Sequence, residues 1–243
     1  MYLTREERKR SLNVASKTLQ GRKPFIVSVG ALRTDDAQKL AEDAEEAGAD
    51  GLLLAPVSYN PLSEEEVYQH YELITGSTTL PLCIYNTPST THFIFSDALL
   101  ARIAELPNVV ALKQPAPATE AKERHEALRA KLPSGFSVGY SADWLVADSL
   151  LAGGSAWYSV IAGVLPVPSV ALMTAIRKGD DIEVRRISVL FQQIWELFQE
   201  LGNIKVVFAL ANELDLCKAA PPWPILPKAA SHQSDSLSVG NAK

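Results

Sequence analysis

Short apolar runs alternate with longer amphipathic stretches over the first two thirds of the chain. Phe25–Gly30, Gly51–Ala55, Leu82–Asn86, Val109–Lys113, Phe136–Tyr140 and Ala156–Val160 are rich in Val, Ile and Leu and read as buried strands. Each is followed by a stretch whose apolar residues recur at helical spacing. After the first strand, for example, Ala37, Leu40, Ala41, Ala44 and Ala47 fall on one face. Thr34 reads as that helix's cap, with Asp35 and Asp36 in the first turn, where the helix dipole favours negative charge. Ser63 and Glu66 form a capping box, and Ser96 or Asp97 caps the helix carrying Leu99, Leu100 and Ile103. Charged and mixed helices follow over about Thr119–Lys131 and Asp143–Ala152.

Before the first strand, Thr4 and Glu7 make another capping box, with Leu3 as a hydrophobic staple, for a helix to about Leu19 that Gly21 stops. The chain therefore opens on a helix. Six strand–helix units at a spacing of roughly 25 residues predict a parallel sheet with right-handed crossovers. Two joints repeat the order helix end, glycine, small residue, strand: Ala47-Gly48-Ala49-Asp50-Gly51 and Ala152-Gly153-Gly154-Ser155-Ala156. A repeated unit of this kind predicts a TIM (β/α)8 barrel of which six strands are present. The competing doubly wound sheet calls for a Gly-rich phosphate loop after the first strand, and Gly30-Ala31-Leu32-Arg33 is not one.

From Pro166 the pattern is helical only. A long helix capped by Asp180 carries Val184, Ile187, Leu190, Phe191, Ile194, Leu197, Phe198 and Leu201 on one stripe, and another runs over about Ile204–Leu214. The stripe serves either core packing or an oligomer surface. The expected division is an incomplete barrel over 1–165, a C-terminal helical extension over 166–227 and a disordered tail over 228–243 rich in Ser, Ala and Asn.

Composition narrows the function. Apolar residues make up 47%, enough for a sizeable core, and the net charge of −5 is spread along the chain, which argues against a nucleic-acid or anionic-membrane surface. No apolar run reaches the ~18 residues of a spanning helix. The two cysteines, Cys83 and Cys217, make no disulfide framework, so a cytoplasmic location fits. Of the histidines, His70, His92, His125 and His232, none pairs with a carboxylate at ligand spacing, which leaves a metal-dependent reaction without support. No cofactor is expected.

In a parallel α/β fold, sites lie at the C-terminal strand ends. Lys113 is the polar residue of its strand, on the same side as Val109 and Ala111. An amine at an apolar barrel mouth loses hydration in its charged form, which lowers its pKa and frees it as a nucleophile for Schiff-base chemistry with a ketone. The alternative is a strand-end lysine reaching into solvent. Tyr85 ends the neighbouring strand at the same level, where its phenol can relay protons, or can sit as a satisfied core-edge tyrosine.

These residues resemble the dihydrodipicolinate synthase / N-acetylneuraminate lyase family of class I, pyruvate-handling aldolases. Tyr85-Asn86-Thr87-Pro88 looks like the family's Y-N-x-P turn with its proton-relay tyrosine, and Leu112-Lys113 looks like its Schiff-base strand, 28 positions on. The Ser58-Tyr59-Asn60-Pro61 loop is a further match, and the resemblance covers Leu3–Pro227. It implies a (β/α)8 barrel with a C-terminal helical extension, a homo-oligomer (dimer or tetramer), and a small-molecule 2-oxo acid such as pyruvate bound as an imine to Lys113, with an aldehyde as second substrate. It implies that Tyr59 extends the proton relay from a neighbouring subunit, and that Tyr59 and Tyr158 shape the second-substrate region.

Two departures from the family pattern stand out. The family has two further strands before the helix that opens this chain, the second ending in a G-T-T-G-E-like carboxylate-binding loop. Their expected place is before Met1, so the chain reads as N-terminally truncated. The alternative is a non-catalytic member that binds a small acid. Secondly, Thr90 occupies the place of an arginine that holds the aldehyde substrate's carboxylate in true dihydrodipicolinate synthases. A hydroxyl does not replace a bidentate guanidinium, so a sugar-acid aldolase or a dehydratase fits at least as well.

Overall fold

The structure is a computed structural model and describes residues 2–227. The tail expected to be disordered lies outside the described residues. The elements in chain order are α1 (Arg5–Leu19), β1 (Ile26–Ser28), α2 (Thr34–Glu46), β2 (Gly51–Leu54), α3 (Glu64–Thr75), β3 (Leu82–Tyr85), α4 (Pro88–Thr91), α5 (Asp97–Ala104), β4 (Val109–Pro115), α6 (Ala121–Arg129), β5 (Ser137–Ser141), α7 (Val146–Leu151), β6 (Ala156–Trp157), α8 (Pro166–Lys178), α9 (Asp181–Leu190), α10 (Gln192–Leu201) and α11 (Asn203–Glu213). Two compact units contain them. One comprises Leu3–Ser141 and Asp148–Trp157; the other comprises Ala142–Ala147 and, among the described residues, 158–227.

In the first unit the six strands form one parallel sheet in the order β1-β2-β3-β4-β5-β6. Sheet order equals chain order, as a barrel built from repeated strand–helix units demands. The strands are short and apolar, and one face is fully buried: the register partners Leu52 and Leu82, and Leu54, Ile84, Leu112 and Val138, are all at most 1% exposed, while Leu53, Tyr85 and Lys113 on the other face are half-buried. Both expected capping boxes are present. Thr4 and Ser63 each accept from the backbone N–H three residues on, and Glu7 and Glu66 return the bond. They satisfy donors that the first helical turn otherwise leaves open. α1 is tied to α2 through Asp43, whose buried carboxylate meets Arg5 at 2.6 Å and Lys9 at 2.9 Å.

Three local expectations change. Thr34 does not cap α2: Arg33 holds the cap position without a side-chain bond, and the Thr34 hydroxyl bonds His70 Nδ1 of α3 at 2.9 Å instead. The long helix from Asp180 divides at Phe191, where i→i+3 bonds from Phe191 N–H to Ser188 and from Ile194 N–H to Phe191 tighten the turn. The apolar stripe runs on through the tightening, so Phe191 and Trp195 stack at 4.9 Å in the core of the second unit, beside Ile187 and Phe198. Finally, β6 stops at Trp157 rather than Val160. Asp143 Oδ2 accepts from the Ser159 hydroxyl and from the N–H groups of Val160 and Ile161, at 3.2, 3.0 and 3.0 Å. Those backbone donors are thereby withdrawn from any strand ladder.

Candidate active site

Tyr85 and Lys113 close their strands side by side. They are register partners across β3 and β4, and Asn86 N–H donates to the Lys113 carbonyl at 2.9 Å, one step further on. Register partners in a parallel pair project from the same face, and Lys113 Nζ lies 3.9 Å from the centre of the Tyr85 ring. Both side chains are half-buried. An ammonium held over an aromatic face is attracted by the ring quadrupole, so the contact fixes the amine's direction as well as its distance. On its other flank the partner of Lys113 is Gly139, followed across the sheet by Ala156. The amine thus stands between an aromatic ring and two positions with little or no side chain.

The strand beside Tyr85 is secured at its end by a buried tyrosine. Tyr71 of α3 is fully buried, and its hydroxyl donates to the carbonyl of Leu54, the last residue of β2, at 2.6 Å. Burial pushes the Tyr71 phenol well above its ordinary range, so it stays a neutral donor. Helical spacing places Tyr71 with Val67 and Ile74 on a core face, but it gives no sign that its oxygen lands at a strand end. The side-chain oxygen of Asn86, next to Tyr85, is buried and has no hydrogen-bond partner among the described residues.

The remaining residues singled out from the sequence lie elsewhere. Tyr59 is 92% exposed and lines a pocket of about 220 Å³ with Pro56, Leu62, Thr91, His92 and Phe93. Thr90 is exposed on α4 and accepts from the Thr87 hydroxyl at 3.4 Å; its neighbour Thr91 faces that pocket instead. Tyr158 is half-buried, one residue past β6, and belongs to the second unit. The structure therefore joins Tyr85 with Lys113, and Tyr59 with the turn after α4. Among the described residues no three His, Cys, Asp or Glu side chains gather as a metal site, and no helix is long and apolar enough to cross a membrane.

Comparison with known proteins places this geometry. A profile of the dihydrodipicolinate synthetase family matches residues 1–239. The chain belongs to the dihydrodipicolinate synthetase family. It is accordingly a lyase-family chain of the class I, pyruvate-dependent aldolase type. It is 32% identical over 215 residues to the 4-hydroxy-tetrahydrodipicolinate synthase of Alcanivorax borkumensis, covering 88% of this chain and 72% of that one. The enzyme of the same name from Azoarcus sp. is 33% identical over 229 residues, covering 94% and 77%. Among solved structures, a dihydrodipicolinate synthase from Agrobacterium tumefaciens superposes with a TM-score of 0.93 at 52% identity, covering 95% of this chain and 78% of that one. The Aquifex aeolicus dihydrodipicolinate synthase gives 0.85 at 28% identity, covering 94% and 78%. The family's α/β barrel fold is thereby that of the first unit, as the strand pattern predicts.

Proposed function

We propose that Lys113 is the Schiff-base nucleophile of this lyase and Tyr85 its proton relay, acting on pyruvate or another 2-oxo acid. The observation that carries the reading is the 3.9 Å approach of Lys113 Nζ to the Tyr85 ring at two adjacent strand ends. The free amine attacks C2 of the 2-oxo acid and forms a carbinolamine. Loss of water, with a proton delivered to the departing oxygen, leaves an iminium. Removal of a C3 proton then gives an enamine, the iminium taking up the electron pair. The enamine carbon attacks an aldehyde, a carbon–carbon bond forms, and water releases the product from the lysine. A phenol next to the amine can pass protons in each of these steps.

Tyr59, Thr90 and Tyr158 are assigned to the region of the second substrate. A threonine hydroxyl offers one donor and no charge, so Thr90 suits an acceptor aldehyde held by polar contacts rather than a carboxylate gripped by a guanidinium. The 4-hydroxy-tetrahydrodipicolinate synthase reaction of the relatives is therefore one candidate beside sugar-acid aldol chemistry. We assign the protein to the cytoplasm and to a homo-oligomeric state, dimer or tetramer, on the strength of the family. No nucleic-acid partner is assigned.

Borohydride reduction in the presence of pyruvate tests the central assignment. The expected result is a stable adduct on the peptide containing Lys113, lost in Lys113→Ala. An adduct of equal yield in Lys113→Ala refutes the assignment of the nucleophile.

A further inference from the structure

Behind Lys113 runs a row of polar side chains that the reaction does not use. Successive residues of a strand face opposite sides, so Gln114 projects away from Lys113, toward the helix layer. Its register partner on β5 is Tyr140, which is 1% exposed. The two side chains therefore project side by side from the same face, and the Tyr140 hydroxyl lies 2.9 Å from Nδ1 of His125 on α6, itself 6% exposed. A neutral imidazole with its proton on Nε2 takes the phenol hydrogen at Nδ1. Burial lowers the His125 pKa and so favours that neutral acceptor.

The seat of this row is built by the Gly153-Gly154 joint. A Cβ at Gly154 would lie 2.8 Å from Tyr140 Cδ2 and 2.9 Å from the Ser149 carbonyl, and one at Gly153 would lie 3.2 Å from His125 Nε2. Gly153 also has φ +112°, a backbone conformation that side chains rarely adopt. The repeated glycine joint thus leaves room for a tyrosine and a histidine to meet behind the sheet.

We infer that Gln114, Tyr140 and His125 are positioning residues for Lys113: Gln114 packs beside Tyr140, which is bonded to His125, and together they fix the rotation of the β4 end about its own axis, and with it the direction of the amine toward the Tyr85 ring. The geometry gives this anchor leverage. On the β5 flank Lys113 faces Gly139, which has no side chain to guide the lysine stem. A turn of the strand end by a few tens of degrees therefore swings Nζ off the ring. The inference rests on the reading of Lys113 as the nucleophile.

The test compares the full chain with Tyr140→Phe, Gln114→Leu, His125→Leu and His125→Asn. Asn retains an acceptor near the position of Nδ1; Leu does not. One readout is the rate of borohydride trapping of pyruvate at saturating and subsaturating concentration. The other is acetylation of Lys113 by acetic anhydride, read by peptide mass, which needs no substrate. Trapping at saturation is expected to slow about tenfold in the Phe and Leu variants, with little change in the half-saturating pyruvate concentration, because the amine is misdirected rather than the binding lost. Acetylation of Lys113 in these variants rises about threefold as the amine leaves the ring. His125→Asn stays near wild type on both. Wild-type acetylation in all four variants overturns the inference, as does a His125→Asn chain that behaves like His125→Leu. A wild-type chain that traps no pyruvate refutes the nucleophile reading instead, and the acetylation comparison still decides the positioning role. Gln114→Leu leaves the Tyr140–His125 bond intact, so it answers the question if Tyr140→Phe does not fold.

Discussion

The hydroxyl of Tyr71 lies 2.6 Å from the carbonyl of Leu54, so a helix side chain reaches through to the last residue of a strand. That phenol ties α3 to the end of β2, the strand that pairs with the one carrying Tyr85. Tyr71→Phe keeps the ring packing against Phe95 and removes the bond. The expected cost is about 1–3 kcal/mol in urea unfolding, since a buried strand-end carbonyl loses its partner. Borohydride trapping should also slow, because the strand beside Tyr85 loosens. A variant as stable as wild type shows that water replaces the phenol.

Tyr85→Phe separates the ring from the hydroxyl. The aromatic face under Lys113 remains and the relay proton is gone. Trapping of pyruvate in single-turnover measurements should fall by about a hundredfold, the lower range for losing a positioned acid–base group. The thermal midpoint should hardly move. An unchanged rate assigns the relay to another group.

Asp43 anchors α1 to α2. Its side chain is 2% exposed, between Arg5 and Lys9, which both remain in contact with water. The hydrogen bond from Arg5, helped by Lys9, holds the carboxyl below its usual range. A carboxylate with a lowered folded-state pKa stabilises the protein above the unfolded value near ~3.9 and loses that contribution as pH falls through the folded value. Asp43→Asn should cost about 1–2 kcal/mol at pH 7, discounted for the solvent-exposed cations. The gap between variant and wild type should close below roughly pH 4. Urea midpoints across pH measure both.

His125 shifts in the same direction as Asp43, but in a higher pH window. Burial first, and Arg129 second, lower its pKa, against a smaller opposing pull from Glu126. The unfolded chain then binds more protons than the folded one below an unfolded pKa near ~6.5, so His125 makes stability decline as pH falls through that value. The decline between pH 8 and pH 5 should be shallower in His125→Asn, which cannot take up the proton. Parallel profiles for the two proteins rule this out.

Gly154→Ala tests the seat of Tyr140. The added methyl would meet a ring carbon at 2.8 Å and a backbone oxygen at 2.9 Å, and the carbonyl cannot move without its helix. Overpacking of this kind costs about 1–3 kcal/mol. Chemical denaturation reads it directly; a neutral substitution shows that the joint yields.

The fold was legible because its signals are local. Capping boxes at Thr4/Glu7 and Ser63/Glu66, apolar runs and glycine joints each lie within a few residues, and they give strand number and order. The Tyr85–Lys113 pair was legible for the same reason: both residues end their strands, and consecutive parallel strands align. What failed were partners distant in sequence. Thr34 reads as a helix cap because nothing near it reveals His70, 36 positions on. Val160 reads as strand because the claim of Asp143 on its N–H depends on the folded chain. His125 was set aside for want of a carboxylate at ligand spacing; its partner is a phenol on the adjacent strand. Tyr71 follows the core periodicity of α3, and periodicity reports burial but not where one polar atom ends up.

Sheet order that follows chain order has a consequence for how Tyr85 and Lys113 come together. Tyr85 and Lys113 are joined by a single crossover of 28 positions, through α4 and α5. The entropy of closing such a loop grows only with the logarithm of its length, so the contact has low topological complexity. The two groups are assembled within one repeat and require no meeting of distant parts of the chain. A repeat of this kind carries the Tyr85–Lys113 pair as a module, and duplication or exchange of neighbouring repeats can reshape its surroundings while leaving the pair intact.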